Sequence, residues 1–516
     1  MTKKRNKRNR RNKLSFVFLF LALLLIFSAK WYSSAFSEVS LEQLIFHLKV
    51  PLEGSNDDFV MQYITYMIQH CIFILIPLVA FWIFQSSWFK HSFSLHGKIR
   101  VRSKEYPFHF QIHDSTKGVF LLNSLLLIGS LFYVGRTLHV GEYIYNSINV
   151  SQLYETYYVD PEEVQFTFPE QKRNLIYIFL ESMESTSASA SGINLEQENL
   201  IPGLEQLALE NINFSQNDGL GGAQSLYGTT WTAAGMVSQT AGITLTVPID
   251  GNTMNEYSSY LPGAYSLGDL LEREGYSQYL MVGSNAEFGG RANYFTQHGN
   301  YEIYDYNSAI EERKIDEDYF VWWGFEDTKL FEYAKEKLLK IAHDDSEEPF
   351  NFTLLTADTH ATSGYVDSSC ETPTSNHYAN SIICSDQKVT EFIRWIQQQD
   401  FYENTTIVIC GDHLIMGNYF FPADYPQERS IYNAFINSAI STDETHSKNR
   451  TFTVFDMYPT TLASLGVTIE GDRLGLGTNL FSDQKTLPEE LGLKEFENQL
   501  KKKSNYYNNQ LLYAKK

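Results

Sequence analysis

Two apolar runs that each end at ionisable side chains constrain this chain more than any other feature. The run Asn174–Leu180 ends at Glu181, and the run Thr406–Cys410 leads to Asp412 and His413. Both runs are rich in β-branched and aromatic residues, which predicts buried parallel strands. In open α/β sheets, ligands bind beyond the carboxyl ends of the strands. Two carboxylates and an imidazole at such ends predict a divalent metal site.

Strand-like and helical patterns alternate from about residue 172 onward. Strands are predicted at Asn174–Leu180, Asn211–Ser215, Ser277–Val282, Phe350–Thr356 and Thr406–Cys410. Helices are predicted at Gly203–Glu210, Ala233–Gln239, Tyr265–Glu274, Asp327–Ala342, Ser385–Gln399 and Met457–Leu465. This alternation predicts an α/β fold with a mostly parallel, doubly wound sheet.

The N-terminal region is typical of a membrane anchor. Residues 1–13 carry eight Lys or Arg and no acid. Apolar runs follow at Leu14–Ala29, Tyr66–Gln85 and Gly118–Gly135, each near the ~20 residues that cross a bilayer. The alternative is that these runs are buried core helices.

Loop charges predict the orientation of this anchor. The loop Lys90–Lys117 is basic and the segment Glu38–Asp58 is acidic. The positive-inside rule then places the N-terminus in the cytoplasm and everything after about residue 136 outside. The predicted domains are a basic cytoplasmic tail at 1–13, a membrane region with three transmembrane helices at 14–136, an extracytoplasmic linker at 137–171, a catalytic domain at 172–483 and a Lys-rich helical tail at 484–516.

The net charge of the chain limits the classes of partner it can bind, and its cysteines fit an extracytoplasmic location. The chain has a formal charge of −21 although its first thirteen residues are strongly basic. The rest of the chain is therefore strongly acidic, which argues against nucleic acid as a partner. Cys370 and Cys384 flank a polar loop of the domain predicted to be exported, which favours a disulfide between them.

A cluster of hydroxyl groups opens one of the predicted helices. Thr229, Thr230 and Thr232 all lie where this helix would start. A threonine hydroxyl becomes a useful nucleophile when a metal or base lowers its pKa, and a helix N-terminus favours the resulting negative charge. Helix capping is the alternative role for Thr229 and Thr230, and Glu181 could likewise cap the segment that follows it.

Further candidates for substrate contacts follow two other predicted strands. Asp358 and His360 come after Phe350–Thr356, and Arg291 ends a glycine-rich loop after Ser277–Val282. Arginine can contact two phosphate oxygens at once, and histidine can protonate a leaving alkoxide. The alternatives are a surface histidine and an arginine paired with a nearby carboxylate.

Together these motifs resemble the membrane-anchored phosphoglycerol transferases of the alkaline phosphatase/sulfatase superfamily. That group includes lipoteichoic acid synthases and the transferases that decorate periplasmic glucans or wall polysaccharides. In the resemblance, Glu181 is the first metal ligand, and Asp412 and His413 are the paired ligands near the C-terminus. Thr232 matches the nucleophile because a glycine follows it by ten residues.

The resemblance covers about residues 172–482 and extends to the substrate side. Arg291 matches the phosphate-side arginine, and Asp358 and His360 match the motif with the substrate-side histidine. The tryptophan that precedes the arginine in lipoteichoic acid synthases is replaced by glycine, around Gly289. This departure makes single transfer a better expectation than polymerisation.

The resemblance implies one divalent metal ion, manganese in this family, held by Glu181, Thr232, Asp412 and His413. It implies transfer of glycerol phosphate from phosphatidylglycerol to a cell-surface or periplasmic glycan through a covalent threonine intermediate, at the outer face of the cell membrane. One alternative is a phosphoethanolamine transferase or phosphodiester hydrolase of the same superfamily. A second is a non-enzymatic, membrane-anchored glycan-binding protein.

Overall fold

The computed structural model describes residues 2–35, 41, 44–45, 58–83, 93–101, 104–112, 115–189, 199–247, 260–343, 348–416 and 429–514. The chain divides into two compact units. The first comprises residues 1–37 and 57–143, and the second comprises residues 38–56 and 144–516.

The first unit contains the candidate membrane helices and a β-hairpin. Its elements are α1 (Thr2–Ala35), α2 (Asp58–Ile83), β1 (Phe93–Val101), β2 (Lys104–Ile112) and α3 (Ser115–Thr137). Two stretches, Arg10–Ala35 and Lys117–Thr137, are long and apolar enough to cross a bilayer. Helix α2 bends by 48° between Val60–Gln69 and Cys71–Phe81, so the described residues offer up to three spans.

Part of this region lies outside the described residues. Most of the acidic segment Glu38–Asp58 and the end of the predicted second span at Gln85 belong to that part. The basic segment Lys90–Lys117, which we expected to be a loop, contains the antiparallel pair β1 and β2.

The second unit is built around a seven-stranded sheet. The strands of this unit are β3 (Phe166–Thr167), β4 (Asn174–Leu180), β5 (Gly222–Ala223), β6 (Ser277–Val282), β7 (Glu302–Tyr304), β8 (Phe350–Leu355), β9 (Thr405–Gly411), β10 (Ile431–Ile436), β11 (Thr468–Ile469), β12 (Arg473–Leu474) and β13 (Gly477–Thr478). The order in the large sheet is β5-β10-β9-β4-β8-β6-β7. The strands from β9 to β7 pair in parallel, whereas β10 pairs antiparallel with both β9 and β5 at one edge. The predicted α/β fold with a mostly parallel sheet is therefore confirmed.

Helices cover both faces of this sheet. The helices that follow α3 are α4 (Val140–Ile148), of which residues 140–143 belong to the first unit, α5 (Leu153–Tyr157), α6 (Pro202–Glu210), α7 (Thr232–Ala241), α8 (Leu267–Arg273), α9 (Arg291–Gln297), α10 (Tyr306–Glu311), α11 (Asp327–Ala342), α12 (His377–Ile396), α13 (Glu444–Ser447), α14 (Met457–Ser464), α15 (Leu487–Leu491) and α16 (Leu493–Leu500), followed by a π-helical turn at Tyr507–Leu512. On β4, Tyr177 belongs to the apolar cluster that includes α7, α8 and α14, while Ile178 belongs to the cluster that includes α6, α11 and α12. Because successive strand residues face opposite sides, both faces of β4 are buried.

One strand prediction is wrong, and three strands of the sheet, β5, β7 and β10, were not predicted. Residues Asn211–Ser215 form no strand; their one ladder contact is an isolated bridge from Ile212 to Phe435. Strand β10 was missed because Asn433 interrupts its apolar run. The Asn433 side chain is buried. It accepts a hydrogen bond from the N–H of Phe214 at 3.0 Å and donates one to its C=O at 2.9 Å, so it supplies backbone hydrogen-bond partners to the irregular segment beside β10.

Segments outside the predicted catalytic domain contribute to the core of the second unit. Tyr154 from the predicted linker and Phe496 and Leu511 from the predicted tail are buried in the cluster that includes α7. The tail therefore packs on the domain, with helices α15 and α16 inside the predicted Lys-rich segment. The predicted disulfide between Cys370 and Cys384 is present, with a Cα–Cα distance of 5.5 Å.

Packing of the tail yields a stability prediction. Replacing the fully buried Phe496 by Ala leaves a cavity against Phe455, so we expect the free energy of unfolding to fall by about 3 kcal/mol. Lys494→Ala, at an exposed position of the same helix, is the control and should change it by less than about 0.5 kcal/mol. Denaturant unfolding of the full chain measures both, and equal values for the two variants would show that the tail is not part of the core.

Candidate metal and nucleophile site

The pairing of β4 with β9 brings the two predicted metal-binding segments together. Leu180 lies opposite Gly411 in the parallel register, so Glu181 and Asp412 leave adjacent strands at the same edge of the sheet. Ser182 has a φ of 53°, and its N–H donates to Asp412 Oδ1 at 2.8 Å. This bond fixes the two segments side by side.

Glu181, Asp412 and His413 form a compact, buried cluster. One ligand atom from each side chain can be chosen so that all lie within 4.8 Å of one another. His413 Nε2 is 3.4 Å from Glu181 Oε1 and 3.6 Å from Asp412 Oδ2. Such distances leave room for a cation at the centre with ligand bonds of about 2.0–2.2 Å.

Hydrogen bonding in the cluster fits a metal site. Asp412 Oδ1 accepts bonds from the N–H groups of Ser182 and His413, whereas its Oδ2 is buried without a hydrogen-bond partner. His413 Nδ1 donates to the carbonyl of Leu414 at 2.8 Å, which leaves the Nε2 lone pair facing the carboxylates. A buried carboxylate oxygen without a partner is costly unless a cation compensates it.

The surroundings of Asp412 favour its protonated form. The pKa of Asp412 is raised to about 7, first by burial and next by the negative charge of Glu181. A divalent cation bound between them would remove the cause of this repulsion. The residues present therefore fit such an ion.

Thr232 reaches the same cluster from helix α7. It is the first residue of the helix and is half-buried. Its hydroxyl donates to Glu181 Oε2 at 3.2 Å and lies 3.5 Å from His413 Nε2. The structure therefore brings together all four residues predicted to hold the metal.

Close packing of α7 on the strand ends fixes the position of Thr232. A β-carbon on Gly235 would lie only 2.1 Å from the carbonyl oxygen of Asp412, so only glycine permits this approach. Gln239 Nε2 donates to the carbonyl of Gly411 at 2.9 Å, and its Oε1 accepts from Tyr177 at 2.9 Å. The helix is thus attached to both β9 and β4.

Thr229 has a structural role. It is fully buried, and its hydroxyl donates to the carbonyl of Leu226 at 2.7 Å while accepting from the Leu226 N–H at 2.9 Å. These bonds close a turn before α7. Thr230 is half-buried and precedes the helix by two residues.

Arg291 is held by its own loop. Its Nε donates to the carbonyl of Phe288 at 3.0 Å, and its Nη2 donates to Ser284 Oγ and the carbonyl of Asn285 at 3.0 and 2.8 Å. No ion pair at Arg291 occurs within the described ranges. Burial lowers the pKa of Arg291 to about 10, although the nearby carboxylates of Glu181 and Asp412 act in the opposite direction.

His360 lies within electrostatic range of the cluster. Its Nδ1 bonds the carbonyl of Ala361 at 2.7 Å, and the ring is half-buried. Burial lowers the pKa of His360 to about 4, and His413 and Arg291 contribute in the same direction. The imidazole is therefore neutral at physiological pH, with Nε2 able to accept a proton.

The contacts of Asp358 are with helix α11. The side chain is buried, and its Oδ2 accepts a bond from the N–H of Asp327 at 3.2 Å, at the start of that helix. The Asp327 carboxylate accepts in return from the N–H groups of Ala357 and Asp358. None of these bonds brings Asp358 to Thr232 or to the metal cluster, so its predicted contact with substrate stays a prediction.

No motif in the sequence singled out Glu184 and Arg429, which join the two ligand segments. Glu184 is fully buried and accepts from the Ile415 N–H at 2.7 Å and from Arg429 Nε at 2.9 Å. Arg429 also donates from Nη2 to Glu184 Oε1 and to the carbonyl of Ile415. The only available signal was a second glutamate three residues after Glu181.

The comparison with known protein families agrees with this geometry. Residues 173–467 match the sulfatase family. The chain belongs to the sulfatase family. The resemblance inferred from Glu181, Thr232 and the Asp412–His413 pair is thereby confirmed at the level of the family.

Named relatives include transferases. Phosphoglycerol transferase I of Escherichia coli is 30% identical over 407 residues, which cover 77% of this chain and 50% of that protein. The chain thus spans about half the length of the curated relatives it matches. Among solved structures, a protein in the alkaline phosphatase superfamily from Vibrio parahaemolyticus is 19% identical, with a TM-score of 0.49 over 66% of this chain and 78% of that one. The lipoteichoic acid synthase LtaP from Listeria monocytogenes is 18% identical, with a TM-score of 0.49 over 62% and 79%.

The Glu184–Arg429 pair generates a prediction about stability and metal binding. Glu184→Gln removes the fully buried carboxylate that Arg429 binds, so we expect the free energy of unfolding to fall by about 3 kcal/mol and Mn²⁺ affinity to fall at least tenfold. Denaturant unfolding and calorimetric titration with Mn²⁺ measure the two effects.

The matched control is Glu210→Gln, which breaks an exposed Glu–Arg pair with Arg394. Exposed pairs contribute at most about 1 kcal/mol. This pair joins the end of α6 to α12 and includes no residue of the metal cluster, so Mn²⁺ affinity should not change. Unchanged Mn²⁺ affinity in Glu184→Gln would refute the positioning role of the buried pair.

Proposed function

We propose that this chain transfers glycerol phosphate from phosphatidylglycerol to a hydroxyl group of a cell-surface glycan, with Thr232 as the nucleophile. The observation that carries the proposal is the position of Thr232 Oγ1, 3.2 Å from Glu181 Oε2 and 3.5 Å from His413 Nε2, at the N-terminus of α7. A hydroxyl at this point combines a helix N-terminus with a cluster suited to a cation.

The proposed cofactor is one divalent metal ion, Mn²⁺ by family resemblance. Glu181, Asp412 and His413 would hold it together with the Thr232 hydroxyl. When bound, such an ion lowers the pKa of the hydroxyl and neutralises charge on the phosphoryl oxygens.

In this proposal, the transfer takes place in two half-reactions. In the first, Thr232 Oγ1 gives up its proton and forms a bond to phosphorus, while the bond to the diacylglycerol oxygen breaks and that oxygen takes up a proton. In the second, a sugar hydroxyl attacks the same phosphorus, and the threonine oxygen leaves and regains a proton. Such two-step transfer follows from a covalent nucleophile.

His360 and Arg291 serve the substrate side in this proposal. His360 is neutral with its Nδ1 bonded to Ala361, so Nε2 accepts the proton of the attacking sugar hydroxyl. Arg291 spends Nε and Nη2 on its own loop, which leaves Nη1 to contact a phosphate oxygen. Asp358 would act indirectly, because its hydrogen bonds with Asp327 fix the segment that carries His360.

A lipid donor accounts for the apolar N-terminal region. The two candidate spans, or three if the bent pair counts as one, would retain the enzyme at the bilayer that contains phosphatidylglycerol. We propose a multi-pass protein of the cell membrane with its catalytic domain on the extracytoplasmic side. The name of the Escherichia coli relative supports glycerol phosphate as the transferred group.

The proposal predicts the products and the nucleophile. With phosphatidylglycerol and Mn²⁺, the full chain should release diacylglycerol, and Thr232→Ala should reduce the rate at least ~10³-fold, as expected for loss of a covalent nucleophile. Thr230→Ala, two residues away and before the helix, is the matched control and should keep most of the activity. Release of labelled diacylglycerol measures the rates.

Mass spectrometry of the chain during turnover separates the alternatives. A gain of one glycerophosphoryl group on Thr232 supports the proposal. Release of diacylglycerol from phosphatidylethanolamine but not from phosphatidylglycerol would identify the chain as a phosphoethanolamine transferase. Release of diacylglycerol without any glycan product would identify it as a hydrolase. Equal rates for wild type and Thr232→Ala would contradict the assigned nucleophile.

A further inference from the structure

Trp323 lies between the two residues that we assign to the substrate side of the site. Its ring centroid is 4.3 Å from that of His360 and 5.3 Å from that of Phe288. The guanidinium carbon of Arg291 in turn lies 5.9 Å from the Phe288 ring centroid. These contacts form one continuous series from Arg291 to His360, with the ring planes tilted by 43° and 49°.

The turn that carries Trp323 is fixed to the loop that carries Arg291. The N–H of Phe325 donates to the carbonyl of Gly283 at 2.9 Å. A β-carbon on Gly324 would lie 2.1 Å from the same carbonyl oxygen, so the two backbones are in direct contact. The indole of Trp323 therefore has a defined position relative to the Arg291 loop.

Ring contacts hold the indole itself. Trp323 is 6% exposed, and its N–H has no hydrogen-bond partner among the described residues. Trp323 therefore contacts its neighbours through the face and edge of its ring. A phenylalanine would keep most of that contact, whereas an aliphatic side chain would not.

His360 needs such a contact. One hydrogen bond, from Nδ1 to the Ala361 carbonyl, fixes its tautomer. The ring contact with Trp323 further restricts rotation of the imidazole about its Cβ–Cγ bond. A proton acceptor misplaced by about 1 Å can lose up to 10²-fold in rate, so the orientation of Nε2 matters.

We propose that Trp323 is a positioning residue of this site, which sets the ring plane of His360 and joins it to the Arg291 loop through Phe288. The inference rests on the proposed function, because that function assigns His360 the role of proton acceptor. Nothing in the sequence pattern marked Trp323, since it lies in a turn far from both motifs along the chain.

A double-mutant cycle with the full chain tests this role. We expect Trp323→Leu to lower kcat/KM for phosphatidylglycerol about tenfold in the wild-type background and less than about twofold in the His360→Asn background. Trp323→Phe should stay within about threefold of wild type. Melting temperatures of all variants check that each one folds.

Trp395→Leu is the matched control. Trp395 packs on Phe401, which contacts Phe350 at the first residue of β8. That contact places it at the amino ends of the strands, opposite the candidate site. This variant should lose stability without the dependence on His360.

Two results would overturn the inference: equal losses from Trp323→Leu in both backgrounds, or a Phe variant no better than the Leu variant. If the wild type uses phosphatidylethanolamine instead of phosphatidylglycerol, the proposed donor is wrong, and the same cycle run with that lipid still decides the role of Trp323. If neither lipid is used, both proposals fail.

Discussion

The parallel pairing of β4 with β9 is the interaction on which the candidate site depends. Its register sets Leu180 against Gly411, and the next residues of both strands then carry the carboxylates. Neither strand end could build a cation site alone, because each offers too few ligands. The carboxylates of Glu181 and Asp412 repel each other at this short distance. Burial of the apolar strands provides the free energy that offsets this repulsion.

Helix α7 adds the hydroxyl to this pair, and it does so through close contact between backbones. Gly235 allows the helix to touch the carbonyl of Asp412, and Gln239 bonds the carbonyl of Gly411. Thr232 therefore reaches the cluster because of residues one and two turns further along the helix. The same logic extends outward, where the Glu184–Arg429 pair joins the segments beyond the ligands.

Much of this arrangement could be predicted from local patterns. The strand ends at Glu181 and Asp412 were predictable because buried runs are visible in sequence and parallel strands collect their ligands at one edge. Arg429 and Trp323 were not, since their importance comes from contacts made across the fold. The hydrogen bond between Asp358 and the start of α11 was not predictable either, because it depends on where that helix packs.

Anomalous X-ray diffraction at the manganese edge, from crystals of this protein grown with Mn²⁺, tests the central claim most directly. We predict one peak about 2.0–2.2 Å from a carboxylate oxygen of Glu181, Oδ2 of Asp412 and Nε2 of His413, with the Thr232 hydroxyl in the same coordination sphere. A peak bound by other residues, or none at saturating Mn²⁺, would contradict the account.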